Sequence, residues 1–436
     1  MQKPTANTRR DRTKTFKKKT GIRWILGLIG PGFITGASDD DPSGIATYAV
    51  AGASFGFATL WTAMITFPLM ATVQFICAKI GMVTGRGLAG VLKKHYPRWV
   101  LIPAVMALMI ANTFNAGADI GAIAAAINLV APIPPTVLII PISIAILMGQ
   151  FWGSYRLLAA VFKWLTLSLV AYIAAAYFAH PNAVEVLKGT LIPTIRFDSK
   201  FLSVLVAILG TTISPYLFFW QASQEVEEDI AAGKKTVAAR KGAGDDELHN
   251  AAWDVNLGML FSNLVMYFII LATAATLFKA GKTDIQSATD AAQALAPIAG
   301  RFATTLFAIG LVGTGILAVP VLTGSASYAL AETFGWKYGL DEKPHRAPRF
   351  YLTIAVATLV GMLLNFTKVN PITALFWTAV LNGLLAPPLL VFVMLVSSNP
   401  KVMNDRVNGT AVTLLGWATT VVMFLAAIAL VLTWKQ

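Results

Sequence analysis

GPGFITGASDDDPSGIATYAV, residues 30–50, carries three consecutive carboxylates, Asp39–Asp41, in the middle of an otherwise apolar segment. Charged side chains are costly inside a lipid bilayer, so acids in an apolar segment mark a functional position. Pro42, directly after the acids, removes a backbone donor, and Gly44 loosens the following turn. The stretch therefore predicts a helix that unwinds at the acids and bares its carbonyl oxygens to the protein interior.

A loop between two short helices is the alternative explanation of these acids. The apolar flanks, residues 24–38 and 45–52, are each too short to cross a hydrocarbon core of about 30 Å as a helix. One broken span therefore fits the segment better than two short spans.

A second interruption lies in VLVAILGTTISPYLFFWQAS, residues 204–223. Small and polar residues from Gly210 to Ser214 are followed by Pro215 in the middle of the apolar run. A simple proline kink is the alternative here. Paired interruptions at corresponding positions of two halves, however, are typical of the binding site of secondary transporters.

The composition of the chain predicts a membrane protein built of helices. Its 436 residues are 56% hydrophobic and 13% charged, with a mean hydropathy of +0.67, which is too apolar for a soluble protein. Alternation with a period of two is absent, so the sequence does not indicate a membrane β-barrel. The net charge of +13 comes from Lys and Arg clustered in loops, as membrane topology requires, and does not indicate a nucleic-acid partner.

Apolar runs long enough to cross a membrane recur along the chain. We predict about eleven transmembrane spans, at residues 24–52, 57–81, 100–130, 134–151, 157–179, 201–224, 255–279, 297–330, 350–366, 371–397 and 410–434.

The basic residues predict the orientation of these spans. Residues 1–23 form a basic arm, which we place in the cytoplasm. Alternation then puts about two dozen Lys and Arg on the inside and about eight on the outside, which favours a cytoplasmic N-terminus and an extracytoplasmic C-terminus. The inside segments are residues 82–99, 150–156, 226–253, 335–349 and 398–409. We predict an integral membrane protein, of a bacterial inner membrane, in which residues 226–253 form a solvated, partly helical connector.

The spans divide into two halves of five. The predicted units are residues 24–179 for spans 1–5, 180–398 for spans 6–10, and 399–436 for the additional span 11. Because five is odd, the second half enters the membrane from the opposite side, which is the inverted-repeat arrangement. The first span of each half is the broken one.

Oxygen atoms dominate the predicted site. Carbonyls and carboxylates together make a negative pocket that suits a hard cation. The sequence shows no phosphate-binding loop, no Cys/His metal cluster and no Ser–His–Asp set, and its histidines fall in or beside predicted loops, at His95, His180, His249 and His345. We therefore expect neither an enzyme nor a cofactor.

Both interruptions resemble the NRAMP family of divalent metal transporters. That family carries Asp-Pro-Gly-Asn in span 1 and Met-Pro-His in span 6, where this chain has residues 41–44, Asp-Pro-Ser-Gly, and 214–216, Ser-Pro-Tyr. The end of span 2, residues 74–85, and residues 397–408 are also similar to the family. The resemblance covers most of the chain and implies a LeuT-like 5+5 inverted repeat with one additional helix.

The resemblance implies a metal site, with departures from the family pattern. The metal-binding Asp of the family falls on Asp41, its Asn on Gly44 and its Met on Ser214. The backbone carbonyls that the family contributes to the metal fall on Ser38 and Thr211.

Other residues of the resemblance concern proton passage. The two span 6 histidines of the family become Tyr216 and Gln221, and its acidic pair in span 3 is reduced to Asp119 at most. This implies weak or absent proton coupling. Asp119 itself is either a neighbour of the site or a packing polar residue.

Some polar residues keep two interpretations. Asp39 and Asp40 stand where the family is uncharged, so they are either acids behind the ligands, or at the pocket mouth, or structural acids paired with a buried donor. Asn112, Asn115 and Asn263 are expected to be hydrogen-bonding residues between helices rather than ligands.

The departures indicate which ion is carried. Ser214 replaces a soft thioether by a hard hydroxyl, and Gly44 removes an amide, which predicts a wider, sulfur-free site. Such a site suits a partly hydrated Mg²⁺. The pattern is similar to the divergent NRAMP-related magnesium transporters, and Mn²⁺ remains an alternative.

Two other functions rival that of a divalent metal transporter. They are a sodium-coupled symporter of an organic solute and a proton-coupled importer of transition metals. The acids in span 1 disfavour a carboxylated solute.

Overall fold

The computed structural model describes residues 30–152, 171–285, 287–296, 300–367 and 369–434, and every regular element in these ranges is a helix. The basic arm at residues 1–23 and most of predicted span 5, residues 157–170, lie outside the described residues.

The elements are numbered here in chain order. They are α1 Pro31–Asp39, α2 Pro42–Phe55, α3 Trp61–Thr84, α4 Leu88–His95, α5 Arg98–Val130, α6 Pro135–Trp152, α7 Ala171–Phe178, α8 Ala183–Leu191, α9 Ser199–Thr212, α10 Pro215–Ala231, α11 Val237–Arg240, α12 Asp245–Thr273, α13 Ala288–Ala292, α14 Ala303–Phe334, α15 Pro348–Leu364, α16 Pro371–Ser397, α17 Pro400–Met403 and α18 Thr410–Thr433. A π-helical turn, Ala274–Phe278, extends α12, and short 3₁₀ turns lie at Gly56–Thr59, Gln293–Leu295, Gly300–Phe302 and Asn404–Arg406.

Eight helical spans of the described ranges are long and apolar enough to cross a membrane. They correspond to predicted spans 2–4, 6–8, 10 and 11. Span 9 is the shorter apolar helix α15, and span 1 is divided between α1 and α2. Most predicted boundaries agree with the helices to within a few residues. The larger differences are at α12, which starts ten residues before predicted span 7, at α10, which ends seven residues after predicted span 6, and at α14, which begins six residues after the predicted start of span 8.

The broken span 6 lies at the centre of the bundle. The most apolar window of Ser199–Ala231 is 100% buried, whereas the windows of α6 and α18 are 22% and 33% buried. The last two therefore lie at the periphery, facing the surroundings of the bundle with apolar side chains.

The first half of the broken span 1 is fastened to α12. The Asp254 carboxylate accepts hydrogen bonds from the backbone N–H groups of Gly30 (2.9 Å), Gly32 (2.7 Å) and Phe33 (3.2 Å). These groups are the orphan donors of the N-terminus of α1, where a negative charge is also favoured by the helix dipole. Helices α1 and α12 approach each other so closely at Gly36 that a Cβ atom there would collide with the backbone of Gly258. Small residues permit such close contact between helices.

The segments assigned to the inside meet at one end of the bundle. Arg240 donates to the carbonyl oxygen of Gly85 (3.3 Å), and the backbone N–H of Gly242 donates to Val83 (2.9 Å). The Lys79 ammonium group donates to the carbonyl oxygen of Val407 at 3.0 Å. The first two contacts join residues 82–99 to residues 226–253, and an ion pair between Arg406 and Asp245 joins residues 398–409 to the same connector. Three of the predicted inside segments therefore lie together.

The connector at residues 226–253 differs from its prediction in one respect. It is partly helical, as expected, since α10 runs on to Ala231 and α11 lies within it. Arg240 is only 7% exposed, however, and also donates to the carbonyl oxygens of Lys234 (3.1 Å) and Lys235 (3.0 Å). The prediction that this segment is simply solvated is therefore wrong at Arg240, which anchors it to the bundle.

Candidate metal site

The two helix breaks have the same local construction. Helix α1 ends at Asp39 and α2 begins at Pro42, while α9 ends at Thr212 and α10 begins at Pro215. In each case two residues separate the halves and a proline occupies the first helical position, where its missing N–H is not needed. The residue directly after the first half has ψ near 50° in both breaks, 52° at Asp40 and 56° at Ile213.

This correspondence aligns the two predicted ligand sets. Asp41 and Ser214 each stand directly before the proline, and Ser38 and Thr211 each stand three residues earlier. The sequence prediction that both spans are broken is confirmed, with the breaks at Asp40–Asp41 and Ile213–Ser214.

Asp41 caps the second half of span 1. Its Oδ1 atom accepts hydrogen bonds from the backbone N–H of Gly44 and from the hydroxyl of Ser43, both at 2.7 Å. This is the helix N-cap arrangement, in which a side-chain oxygen accepts from the third residue of the helix. Oδ2 accepts from the Nδ2 group of Asn115 on α5 at 3.1 Å. Asn115 in turn accepts from the hydroxyl of Thr378 on α16 at 3.0 Å.

Ser214 turns in the opposite direction along the chain. Its hydroxyl lies 2.9 Å from the carbonyl oxygen of Gly210 and 2.7 Å from that of Thr211, in the last turn of α9. It makes no side-chain cap to α10. A hydroxyl has one hydrogen, so this donor is shared between the two acceptors, one of which is the predicted ligand carbonyl of Thr211.

Tyr216 joins the two breaks. Its hydroxyl donates to the carbonyl oxygen of Ser38 at 3.1 Å, and its own carbonyl oxygen accepts from Ser325 on α14 at 2.7 Å. A second contact between the breaks lies at Gly44, where an added Cβ atom would stand 2.9 Å from the Thr211 hydroxyl oxygen. All five predicted ligand residues are therefore brought to one place.

The place is closed to solvent in this arrangement. Ser38, Asp41, Thr211 and Ser214 are each 1% exposed. The space that the missing family Asn leaves at Gly44 is taken up by Thr211, so the wider cavity predicted from sequence is not seen here. The predicted ligand oxygens instead hold hydrogen bonds from protein donors.

Asp39 and Asp40 face α12 rather than the break in span 6. The hydroxyl of Ser262 lies 2.7 Å from Asp39 Oδ2 and 3.2 Å from Asp40 Oδ1. Both acids are 0% exposed, and their other oxygens, Asp39 Oδ1 and Asp40 Oδ2, have no hydrogen-bond partner among the described residues. Two buried carboxylates share one hydroxyl hydrogen, so keeping both of them ionised without a nearby positive charge would be costly.

Asp119 and Gln221 are both fully buried, at 0% exposure. Neither carboxylate oxygen of Asp119 has a partner among the described residues, and the charge of Asp41 acts on it. Gln221 donates to Glu225 Oε1 at 2.9 Å, one turn along α10 and away from the break. Neither Asp119 nor Gln221 makes a hydrogen bond to a predicted ligand residue among the described residues.

Any ion here would rely mainly on neutral oxygens. In the described part of the chain, no group of three or more His, Cys, Asp or Glu side chains has the arrangement of a metal cluster. The candidate donors are one carboxylate, two carbonyls and a hydroxyl, a set that suits hard cations carrying some of their own water.

Sequence reasoning missed Thr378 and Ser262, which come from distant helices. It expected Asn112, Asn115 and Asn263 to form bonds between helices. Asn112 donates to Leu322 (3.0 Å) and Asn263 donates to Ala63 (3.0 Å), as expected. Asn115 contacts the candidate ligand Asp41, and nothing in the sequence indicated that contact.

The chain matches a known family over nearly its whole length. The sequence model of the Nramp family, described as natural resistance-associated macrophage protein-like, matches residues 32–433.

Two solved structures show the same fold at low sequence identity. The manganese transporter of Eremococcus coleocola, crystallised with an aromatic bis-isothiourea substituted compound, superposes with a TM-score of 0.74 at 20% identity, covering 93% of this chain and 87% of that one. Mhp1, a nucleobase-cation-symport-1 family transporter in a closed conformation with bromovinylhydantoin bound, superposes with a TM-score of 0.56 at 16% identity, covering 93% and 91%. The predicted LeuT-like, all-α membrane fold is confirmed.

Proposed function

The chain belongs to the Nramp family, whose members transport divalent metal ions and are not enzymes, and we propose that it carries Mg²⁺ or Mn²⁺ across a membrane by alternating access. The observation that supports this most directly is the meeting of two broken helices around Asp41, with Tyr216 and Thr211 in contact with the first break. The manganese transporter that shares the fold is consistent with the same class of substrate.

The ligand set we propose is Asp41 with the carbonyls of Ser38 and Thr211, the hydroxyl of Ser214, and the open position at Gly44. In the closed arrangement, Tyr216 donates to the Ser38 carbonyl and Ser214 donates to the Thr211 carbonyl. These donors satisfy the carbonyls when no ion is bound, because a buried acceptor without a partner is costly. An entering ion must displace them, so ion binding and the hydrogen bonds that close the site compete.

The hardness of these donors favours Mg²⁺ and Mn²⁺ over softer ions. All four candidate donors are oxygens, and hard or oxygen-preferring cations select such sites. Ser214 occupies the position where a thioether would favour softer transition metals.

We further propose that protons are coupled weakly or not at all to this flux. Tyr216 and Gln221 occupy the family's histidine positions, and neither side chain type titrates near neutral pH. The structure adds one acid near this path, since Gln221 donates to Glu225 at 2.9 Å. Neither Tyr216 nor Gln221 can pass a proton from Asp119 toward Glu225 by titrating near neutral pH.

For orientation we propose the topology that the charges favour, with the N-terminus in the cytoplasm of a bacterium and the C-terminus outside. The contacts among residues 82–99, 226–253 and 398–409 support their location at one face of the membrane. Which face it is follows from the basic residues alone.

Uptake into proteoliposomes across a panel of Mg²⁺, Mn²⁺, Ca²⁺ and Cd²⁺ tests the proposal. We expect saturable Mg²⁺ or Mn²⁺ uptake that does not require sodium. Uptake of an organic solute driven by Na⁺, without divalent metal flux, would identify the chain as a sodium symporter on this scaffold. Cd²⁺ uptake that requires a proton gradient would identify a proton-coupled transition-metal importer instead.

A further inference from the structure

We propose that Asn115, held in place by Thr378, positions the Asp41 carboxylate for the ion. This inference rests on the proposed function and adds to it two residues, one from α5 and one from α16.

The two oxygens of the Asp41 carboxylate have different partners. Oδ1 already accepts from Gly44 and Ser43 at 2.7 Å each, and in doing so it caps α2. A metal ion at Oδ1 would have to compete with two short hydrogen bonds and disturb the helix start. Oδ2 accepts from the Asn115 side chain at 3.1 Å. Oδ2 is therefore the oxygen that can take an ion without uncapping the helix.

Asn115 determines the direction in which Oδ2 points. An ionised carboxylate only accepts hydrogen bonds, so the Asn115 amide must present its NH₂ group to Asp41. The amide oxygen then faces α16, where it accepts from the Thr378 hydroxyl at 3.0 Å. Both ends of the amide are thus assigned by their partners, and Asn115 is 0% exposed.

The hydrogen bond from Thr378 to Asn115 is the weaker of the two bonds that Asn115 makes. The Thr378 hydroxyl also lies 2.7 Å from the carbonyl oxygen of Leu375 in its own helix. The single hydroxyl hydrogen is shared between that carbonyl and Asn115. We therefore expect a smaller effect from removing the Thr378 hydroxyl than from removing the Asn115 amide.

Residues that orient a metal ligand typically contribute about 10- to 100-fold to metal affinity. Asn115→Leu removes both hydrogen bonds at nearly constant volume, so it should weaken Mn²⁺ binding by about 10-fold or more. Thr378→Val should weaken it by about three- to fivefold, and Thr378→Ser, which keeps the hydroxyl, should restore wild-type affinity.

Asn112 offers a matched control on the same helix. It is 1% exposed and donates to the Leu322 carbonyl at 3.0 Å, without a contact to Asp41. Asn112→Leu therefore removes a buried amide that joins two helices and leaves the Asp41 carboxylate untouched. We expect it to lower thermal stability and keep wild-type Mn²⁺ affinity.

The experiment is a titration of purified full-length protein with Mn²⁺, for each single variant and for Asn115→Leu combined with Thr378→Val. Because Thr378 acts through Asn115, the double variant should bind Mn²⁺ no more weakly than Asn115→Leu alone. Additive losses, equal losses in Asn112→Leu, or wild-type affinity in Asn115→Leu would each overturn the positioning role.

The outcome also separates this inference from the function it rests on. If the wild-type protein binds neither Mn²⁺ nor Mg²⁺, the proposed function itself fails, and the inference falls with it. If the wild type binds and Asn115→Leu binds equally well, the function stands and only the positioning role is lost. Should Asn115→Leu not fold, the contrast between Thr378→Val and Thr378→Ser decides the matter.

Discussion

The break in span 1 and the break in span 6 share one backbone design and use their side chains in opposite directions. The Asp41 side chain turns forward along the chain and accepts from the Ser43 hydroxyl and the Gly44 backbone N–H in the first turn of α2. Ser214 looks backward and donates to the carbonyls that close α9. The first break thus keeps a carboxylate beside a carbonyl, that of Ser38, which accepts from the distant Tyr216. The second break satisfies its own carbonyls with a neutral hydroxyl.

This difference indicates a division of labour. The break in span 1 supplies the negative charge, together with the neighbouring Asp39 and Asp40. The break in span 6 supplies neutral oxygens and, through Tyr216, the donor that closes the site over Ser38. Changes at the first break should therefore affect whether an ion binds, and changes at the second should affect which ion binds and how tightly.

The largest expected effect is at Asp41. Asp41→Ala should reduce metal uptake by more than about 100-fold, because the site loses its charged ligand. The measurement is ion uptake into proteoliposomes, with insertion and monodispersity checked.

Asp198→Ala is the matched control for Asp41→Ala. Asp198 is also a helix N-cap, accepting from Phe201 at 2.9 Å at the start of α9, far along that helix from the break. It should transport normally. Near-normal uptake by Asp41→Ala would remove Asp41 from the site.

Ser214→Met tests whether the second break sets ion preference. A thioether in place of the hydroxyl should shift the ratio of Cd²⁺ to Mg²⁺ uptake by about tenfold toward Cd²⁺. Ser214→Ala, which removes the hydroxyl without adding sulfur, is the control and should keep the parental ranking. An unchanged ranking in Ser214→Met would mean that this position does not select the ion.

Tyr216→Phe tests the competition between closure and binding. Removing the hydroxyl frees the Ser38 carbonyl, so Mn²⁺ should bind about two- to fivefold more tightly, in keeping with the modest free energy of one hydrogen bond. Ser325→Ala removes the bond to the other side of the same residue and should leave Mn²⁺ affinity unchanged. Weaker binding in Tyr216→Phe would instead make the hydroxyl a ligand.

The smallest expected effect is that of protons. With the membrane potential clamped, internal pH should stay constant during metal influx, because Tyr216 and Gln221 stand at the family's histidine positions and do not titrate near neutral pH. Acidification that tracks metal uptake and disappears without metal would establish coupling. Asp119→Asn and Glu225→Gln would then show which acid carries the proton.

The fold and the two breaks could be predicted from sequence because both signals are local. Acids and a proline within an apolar run define the first break, and Ser214 with Pro215 defines the second. Partners from distant helices could not be predicted: Asp254 caps α1, and Thr378 holds Asn115. The sequence around Asp254 or Thr378 does not indicate its hydrogen-bond partner, because the partner depends on how the helices pack.

The same limit explains the two errors. The wider cavity inferred from Gly44 neglected the Thr211 hydroxyl, which reaches that position from the other half of the chain. The solvated connector neglected the carbonyl of Gly85, which Arg240 meets only after folding. In each case a correct local inference was changed by a residue far away in sequence.

The central claim is that an ion binds where the two breaks meet. A structure of the protein with bound Mn²⁺, located by its anomalous scattering, tests it most directly. We predict one peak facing Asp41 Oδ2, between the carbonyl oxygens of Ser38 and Thr211, with the Tyr216 hydroxyl turned away from Ser38. A peak at Asp39, Asp40 and Ser262 with the Asp41 site empty would contradict the account.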